Sequence, residues 1–250
     1  MSYEAFADFY DALTSNIDYS AWAEHLLRLF ERHGQNPKLL LDLACGTGSL
    51  ALELMDKRPD MEMICADGSE AMLSIARQKS LDAGKDLLFL HQSMQNIDLY
   101  GTVDGAVCTL DSLNHLVREE DVRRTLERVS LFLEPGCFFL FDVNTPYKHR
   151  EILGNHAFVY DLPQVYCVWQ CSYQEKKMEV SIDMDFFAKH GASYTRSGEC
   201  FKERAYEHPT LCRWLEEAGL EVLEVLDGLT LDPPQEHTQR FISGHIFLVT

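Results

Sequence analysis

From residue 38 to residue 141 the chain alternates short apolar runs with longer stretches in which apolar residues recur at helical spacing. That pattern predicts strands and helices in turn. The runs are 38–43, 61–66, 86–91, 103–110 and 137–141. The helical stretches are Ser49 to Lys57, ended by Arg58-Pro59, then Ser69 to Gly84 and Glu119 to Leu133. Leu87-Leu88-Phe89-Leu90 is apolar without alternation, as suits a strand covered on both faces. Strands alternating with helices in this way predict a doubly wound, mostly parallel sheet. Ahead of them, residues 3–33 carry Phe6, Phe9, Tyr10 and Leu13, then Trp22, Leu26, Leu27, Leu29 and Phe30 at helical spacing. Two helices are expected there, broken by the polar segment Thr14 to Tyr19 and ended by Gly34 to Pro37.

The period changes after residue 156. Three aromatic-rich, alternating segments, 165–174, 178–187 and 194–206, read as an antiparallel meander with turns at Lys176-Lys177 and Lys189-His190-Gly191-Ala192. A helix from Pro209 to Ala218, stopped by Gly219, precedes strands at 220–226 and 243–249. The expected fold is therefore an α/β, seven-stranded, mostly parallel sheet with an inserted antiparallel β meander. The expected division is an amino-terminal helical lid at 1–35, a core at 36–146 and 207–250, and an inserted β cap at 147–206.

The most informative segment joins the first strand to its helix: Leu40-Leu41-Asp42-Leu43-Ala44-Cys45-Gly46-Thr47-Gly48-Ser49-Leu50. Gly46 and Gly48 allow positive φ and leave no Cβ in the way of a ligand. About 20 residues after this turn, the run Met61-Glu62-Met63-Ile64-Cys65-Ala66 ends in Asp67, placed to accept hydrogen bonds from a ribose diol. Gly46-x-Gly48-x-x-Ala51 satisfies the dinucleotide pattern. However, Asp42 two residues before the small-residue turn is a poor neighbour for a pyrophosphate and suits a ligand with an ammonium group. These residues resemble motif I of the class I S-adenosylmethionine-dependent methyltransferases of the small-molecule type. The segment Ile64-Cys65-Ala66-Asp67-Gly68-Ser69-Glu70-Ala71-Met72-Leu73 is similar to that family's next motif.

The resemblance implies S-adenosylmethionine as cofactor, S-adenosylhomocysteine as product, and a sheet closed by an antiparallel last strand. It also assigns residues. Gly46 and Gly48, with Ala44, Cys45 and Thr47, form the turn against which the amino-acid part lies. Asp42 orients that loop or reaches the ammonium through water. Asp67, followed by Gly68, holds the ribose, its plainer alternative being a cap on the turn into Ser69. Met72 covers the adenine face or packs in the core; Ser93 stands where the family often has an Asp, and the Met94 backbone meets the ring nitrogen. Leu110, Asp111, Asn114 and His115 follow the fourth strand beside the methyl group. Asp111 and His115 are the catalytic candidates, His115 as base because its ordinary pKa lies near neutrality. Asp142-Val143-Asn144 offers a second polar wall. Tyr10, Tyr19 and Trp22 close over the cofactor or pack the lid. Trp169, Phe186, Tyr194 and Arg196 line an acceptor pocket or form a dimer interface.

Bulk properties narrow the partners. A net charge of -18 repels polyanions and anionic membranes, which weighs against nucleic acid and favours a neutral or cationic small molecule. The eight cysteines form no C-x-x-C pair, no metal-ligand spacing such as H-E-x-x-H is present, and no metal is expected. No stretch has the length of a membrane span, the start Met1-Ser2-Tyr3-Glu4 lacks a signal-peptide pattern, and a cytoplasmic location is expected. Methyl transfer from S-adenosylmethionine to a small-molecule acceptor by in-line displacement is the expected activity. The alternatives are a non-catalytic cofactor-binding scaffold, a tRNA or protein methyltransferase, and an NAD-binding module.

Overall fold

The five apolar runs become five adjacent strands of one sheet, the third run at its edge, in a computed structural model of the chain, which describes residues 4–247. They form β1 (Leu39–Leu43), β2 (Glu62–Asp67), β3 (Leu88–His91), β4 (Val103–Cys108) and β5 (Leu133–Asn144). A second sheet follows: β6 (Ala157–Asp161), β7 (Val165–Gln174), β8 (Glu179–His190) and β9 (Ser193–Arg204). Then β10 (Leu220–Asp227) and β11 (Arg240–Phe247) return to the first. The large sheet has the order β10-β11-β5-β4-β1-β2-β3, and β11 runs antiparallel to both β5 and β10. Strand order reverses between β1 and β4, which opens a crevice at their carboxyl ends.

The helices are α1 (Glu4–Leu13), α2 (Tyr19–Arg32), α3 (Ser49–Lys57), α4 (Glu70–Asp82), α5 (Glu119–Phe132) and α6 (His208–Glu217). Asp18 caps α2 by accepting from the Ala21 N–H (2.9 Å), and Ser69 caps α4 through the Met72 N–H (3.3 Å). Successive strand residues serve opposite faces. Leu40, Phe138 and Leu140 pack with Leu26, Leu29 and Phe30 of α2, whereas Leu41, Phe139 and Phe141 pack with Val122 and Leu126 of α5 and Trp214 of α6. Each such fully buried side chain contributes roughly 1.5–3 kcal/mol. A third core joins α1 to the second sheet: Phe6 stacks on Phe186 (6.0 Å) and Phe201 (6.2 Å), over Val180, Ile182 and Met184.

Several boundaries differ from the sequence reading. The meander has four strands, because the short alternation Ala157–Asp161 adds β6 along β7. A π-helical segment, Lys148–Leu153, precedes it. β4 stops at Cys108, since Leu110 and Asp111 both take left-handed backbone (φ 56°). β5 is longer than its apolar run, because Leu133 pairs with Val103 across a register shift. β11 begins at Arg240, ahead of the expected Ser243, and the last expected strand residues, 248 and 249, lie outside the described residues, as does residue 3.

Gly244 on β11 crosses closely over β5: a Cβ there would stand 2.5 Å from the Phe138 ring. Gly244→Ala is expected to lower stability by about 1–3 kcal/mol through overpacking, read from the urea midpoint. An unchanged midpoint would show that Phe138 moves aside freely.

Candidate active site

The chain leaves β1 through Ala44 (φ 64°), Gly46 (φ 55°) and Gly48 (φ 74°), a turn whose N–H groups are engaged from below. Ala44 and Cys45 both donate to the Ala66 carbonyl at the end of β2 (2.8 and 3.0 Å). Asp67 accepts from the Gly46 N–H (2.9 Å) and the Ser69 N–H (2.8 Å), and so fixes the two loops against each other. A Cβ at Gly46 would meet nothing within 4 Å, so the backbone there faces open space, whereas at Gly48 it would press on Ala76 of α4 (3.1 Å). α1 is tied to the turn by a polar knot. Thr47 Oγ1 donates to Asp11 (2.6 Å), and Lys79 Nζ reaches Asp11 (2.8 Å) and Ser49 Oγ (2.6 Å).

Two adjoining hollows result. A crevice of about 230 Å³ runs between Gly46, Asp67, Met72, Ser93, Met94 and Leu110, and a narrow cleft at its end is lined by Tyr10, Tyr19, Asp42, Cys45 and Thr47. Asp42 is fully buried, and its Oδ2 has no hydrogen-bond partner among the described residues. Burial, reinforced by the charge of Asp67, pushes the Asp42 carboxyl up to about 7. Burial also raises Asp67, opposed by the Ser69 and Gly46 N–H groups.

The second hollow, about 290 Å³, lies between the core and the small sheet. Asp111, Asn144, Lys148 and Arg240 form its polar floor; Tyr160, Trp169, Met184, Phe201 and Glu203 form its roof. Phe6, Tyr10, Leu110 and His115 belong to both hollows. Arg240 donates to Asp111 Oδ1 (2.6 Å) and to Asp142, whose Oδ2 also accepts the Asp111 N–H (2.9 Å). Burial alone would raise Asp111, but Arg240, Lys148 and His115 hold it well below the usual carboxylate range. Burial would lower Arg240, and Asp142 and Asp111 outweigh it and hold the guanidinium charged. Lys148 Nζ donates to Asn144 Oδ1 (2.8 Å), and burial lowers its pKa. Asp111, His115 and Glu203 bring one ligand-type atom each within 4.8 Å of one another. Arg240, in the same wall, is already paired with Asp111, and Glu203 faces His115 and His149, so the group reads as part of an ion-pair network.

A family profile described as a methyltransferase domain matches residues 40–136, the part that builds the crevice. A protein of Geobacillus sp. (strain WCH70), named among the methyltransferases, is 31% identical over 242 residues, covering 96% of this chain and 97% of its own. YqeM of Bacillus subtilis (strain 168), also named as a methyltransferase, is 32% identical over 241 residues, covering 96% and 95%. A crystal structure of an S-adenosylmethionine-dependent methyltransferase from Clostridium acetobutylicum ATCC 824 superposes with a TM-score of 0.89 at 29% identity, over 99% of both chains. The chain belongs to the class I S-adenosylmethionine-dependent methyltransferases.

The residues present fit that family's cofactor. An ammonium group needs an acceptor, and the Asp42 oxygen, buried without a partner in the wall of the cleft, is one. A ribose needs a carboxylate at the tip of β2, where Asp67 stands with both oxygens oriented by backbone donors. Ala44, Cys45, Gly46, Thr47, Asp67, Gly68, Met72, Ser93, Met94 and Leu110 all line the crevice or its cleft, as do Tyr10 and Tyr19. Trp22 lines neither, being buried in the core with Arg240 over its ring at 5.6 Å. Asp111 lies on the floor of the second hollow, and His115 at the wall between the two.

Other expected positions fall elsewhere. Asn114 spends its amide on the backbone: it accepts from the Asn144 N–H (2.8 Å) and donates to the carbonyls of Asn144 (3.2 Å) and Arg204 (2.9 Å). Of the meander residues, Trp169 lines the second hollow. Phe186 is sealed in the core under Phe6 and Phe9, Tyr194 is exposed at the far turn, and Arg196 pairs with Asp185 at the surface. Strand parity explains the split, since Phe201 and Glu203 of β9 face inward while even-numbered Tyr194 and Arg196 face out. The sequence reading missed Asp11, Lys79, Lys148, Tyr160, Glu203 and Arg240. Only inward parity on β9 could have singled out Glu203.

Asp42 gives a pH test. Its folded pKa of about 7 lies above the ordinary 3.8, so its contribution to stability is complete below about pH 4 and is lost as pH rises through 7. Asp42→Asn should therefore make the ligand-free protein more stable than the parent at pH 8, by roughly 2–4 kcal/mol. The difference should vanish toward pH 4. Urea denaturation across this range checks it, and parallel curves would mean that folding does not raise the Asp42 pKa.

Proposed function

We propose that this methyltransferase acts on a small molecule held in the 290 Å³ hollow, with the cofactor in the crevice beside it. The observation that carries the reading is the shared wall: Tyr10, Leu110 and His115 border both hollows, so the two ligands would meet there. S-adenosylmethionine, when bound, supplies an activated methyl group on a sulfonium. The residues proposed to hold it are Asp42 and the turn Ala44 to Gly48 for the amino-acid part, Asp67 with Gly68 for the ribose, and Met72, Ser93 and Met94 for the adenine. Tyr10 and Tyr19 close the cleft, and Trp22 belongs to the core cluster against which Tyr19 packs. What remains for the protein is to position the acceptor, exclude water and take up a proton. The aromatic roof serves the first two tasks, and His115 the third, with Asp111 held by Arg240 fixing the loop on which His115 stands.

The same reading divides the chain into a lid at 1–35, a core at 36–146 and 207–250, and an acceptor cap at 147–206. A cap rather than a dimer interface is supported by the inward course of Trp169, Phe201 and Glu203. The charge of -18 supports an acceptor other than nucleic acid. No helix among the described residues is long and apolar enough to cross a membrane, and all eight cysteines are free thiols, which supports a reducing, cytoplasmic setting.

Asp67→Ala is expected to weaken S-adenosylhomocysteine binding by about 1.5–3 kcal/mol for each charge-assisted hydrogen bond lost. Calorimetric titration, with NAD as the comparison ligand, measures it. Unchanged affinity would remove Asp67 from the ribose, and a preference for NAD would overturn the reading of the crevice.

A further inference from the structure

We infer that the acceptor is an amine that enters as its ammonium, and that Glu203 of the inserted sheet positions His115 to take the proton. This rests on the hollow being the acceptor site.

Glu203 is 4% exposed, and its two oxygens face two different imidazoles. Oε1 lies 3.9 Å from His115 Nε2, and Oε2 lies 3.4 Å from His149 Nε2, where Asn144 also donates (3.4 Å). Among the described residues no lysine or arginine stands within ion-pair distance of it, in contrast to Asp111 and Asp142, which share Arg240. Its nearest ionic partners are two imidazoles, with the Lys148 ammonium acting on it from beyond ion-pair distance, so Glu203 is less compensated by fixed cations than Asp111 or Asp142. Glu203 therefore draws a cation to this corner of the hollow.

The rest of the wall agrees. Tyr160, Trp169 and Phe201 present rings to the same space, and ring faces attract ammonium groups. Phe201 lies against His115 itself (5.2 Å between centroids). The groups facing His115 and Glu203 from the packed elements are Asp111 on the same loop, Asp67 on β2, Tyr10 on α1, Lys148 and His149 on the π-helical segment, and Arg240 on β11. Of the two carboxylates that line the hollow, Asp111 is already held by Arg240, which leaves Glu203 to face the charge of a guest. In the step itself an N–H bond of the ammonium breaks, its electron pair stays on the amine nitrogen as the lone pair, and the proton passes to the imidazole of His115. The positive charge stays in the hollow, opposite Glu203. A neutral hydroxyl acceptor would gain nothing from this arrangement on entry.

The test is titration of the full chain, saturated with S-adenosylhomocysteine, with 2-phenylethylamine and with 2-phenylethanol. The amine is expected to bind about tenfold or more tightly at neutral pH, as a charge-assisted contact allows, and Glu203→Gln should erase the preference. The conservative variant Glu203→Asp, which keeps the carboxylate, should restore much of the preference. Equal or tighter binding of the alcohol would overturn the inference. So would a Glu203→Gln protein with the preference intact, or a Glu203→Asp protein that lacks it. If S-adenosylhomocysteine binds and the amine preference is absent, only this inference falls; if it does not bind, the proposed function falls with it.

Discussion

One guanidinium holds the site together. Arg240, the first residue of β11, is shared by Asp111 and the buried Asp142 and lies over the ring of Trp22. It thereby joins the last strand of the chain to the loop after β4, to β5 and to α2. Leu110 and Asp111 take a backbone conformation that non-glycine residues seldom adopt, at a cost of about 1–3 kcal/mol each. The Asp111 N–H bond to Asp142 and the ion pair to Arg240 offset that cost. Breaking a buried pair of this kind from one side leaves an uncompensated charge, a loss of about 3–5 kcal/mol. The His115 loop, and with it the wall between the two hollows, depends on this contact.

The arrangement also explains why neighbouring carboxylates behave differently. Asp111 stays ionised beside Arg240, Lys148 and His115. Asp42 lies in the cleft at the end of the cofactor crevice, where burial and the charge of Asp67 drive it toward neutrality. One acid is spent on architecture, and the other is left with an oxygen to give to a ligand.

The parts of the site legible in the sequence were the local ones. Gly46, Gly48 and Asp67 lie in two short motifs whose spacing reflects one βαβ unit, and the structure brings their loops into contact through the Gly46 N–H bond to Asp67. The parallel strands and the helices between them followed from period and punctuation, and the antiparallel last strand from the family resemblance. What stayed hidden was long-range. Arg240 reaches Asp111 across 129 positions, Lys79 meets Asp11 across 68, and nothing in either neighbourhood marks the partner. The meander was recognisable as antiparallel, but choosing its inward face needs the register. Without it Phe186, Tyr194 and Arg196 looked as eligible as Trp169, and Glu203 looked like one more surface acid. Asn114 was expected beside the methyl group for the same reason: its partners, Asn144 and Arg204, are 30 and 90 positions away.

The core that α1 shares with the small sheet has a consequence for both hollows. Phe6 borders both hollows while stacking on Phe186 and Phe201, so the helix that shuts the cofactor crevice is glued to the roof of its neighbour. Phe6 and Tyr10 are thus a hinge in common between the two hollows: any shift of α1 alters the wall of both together.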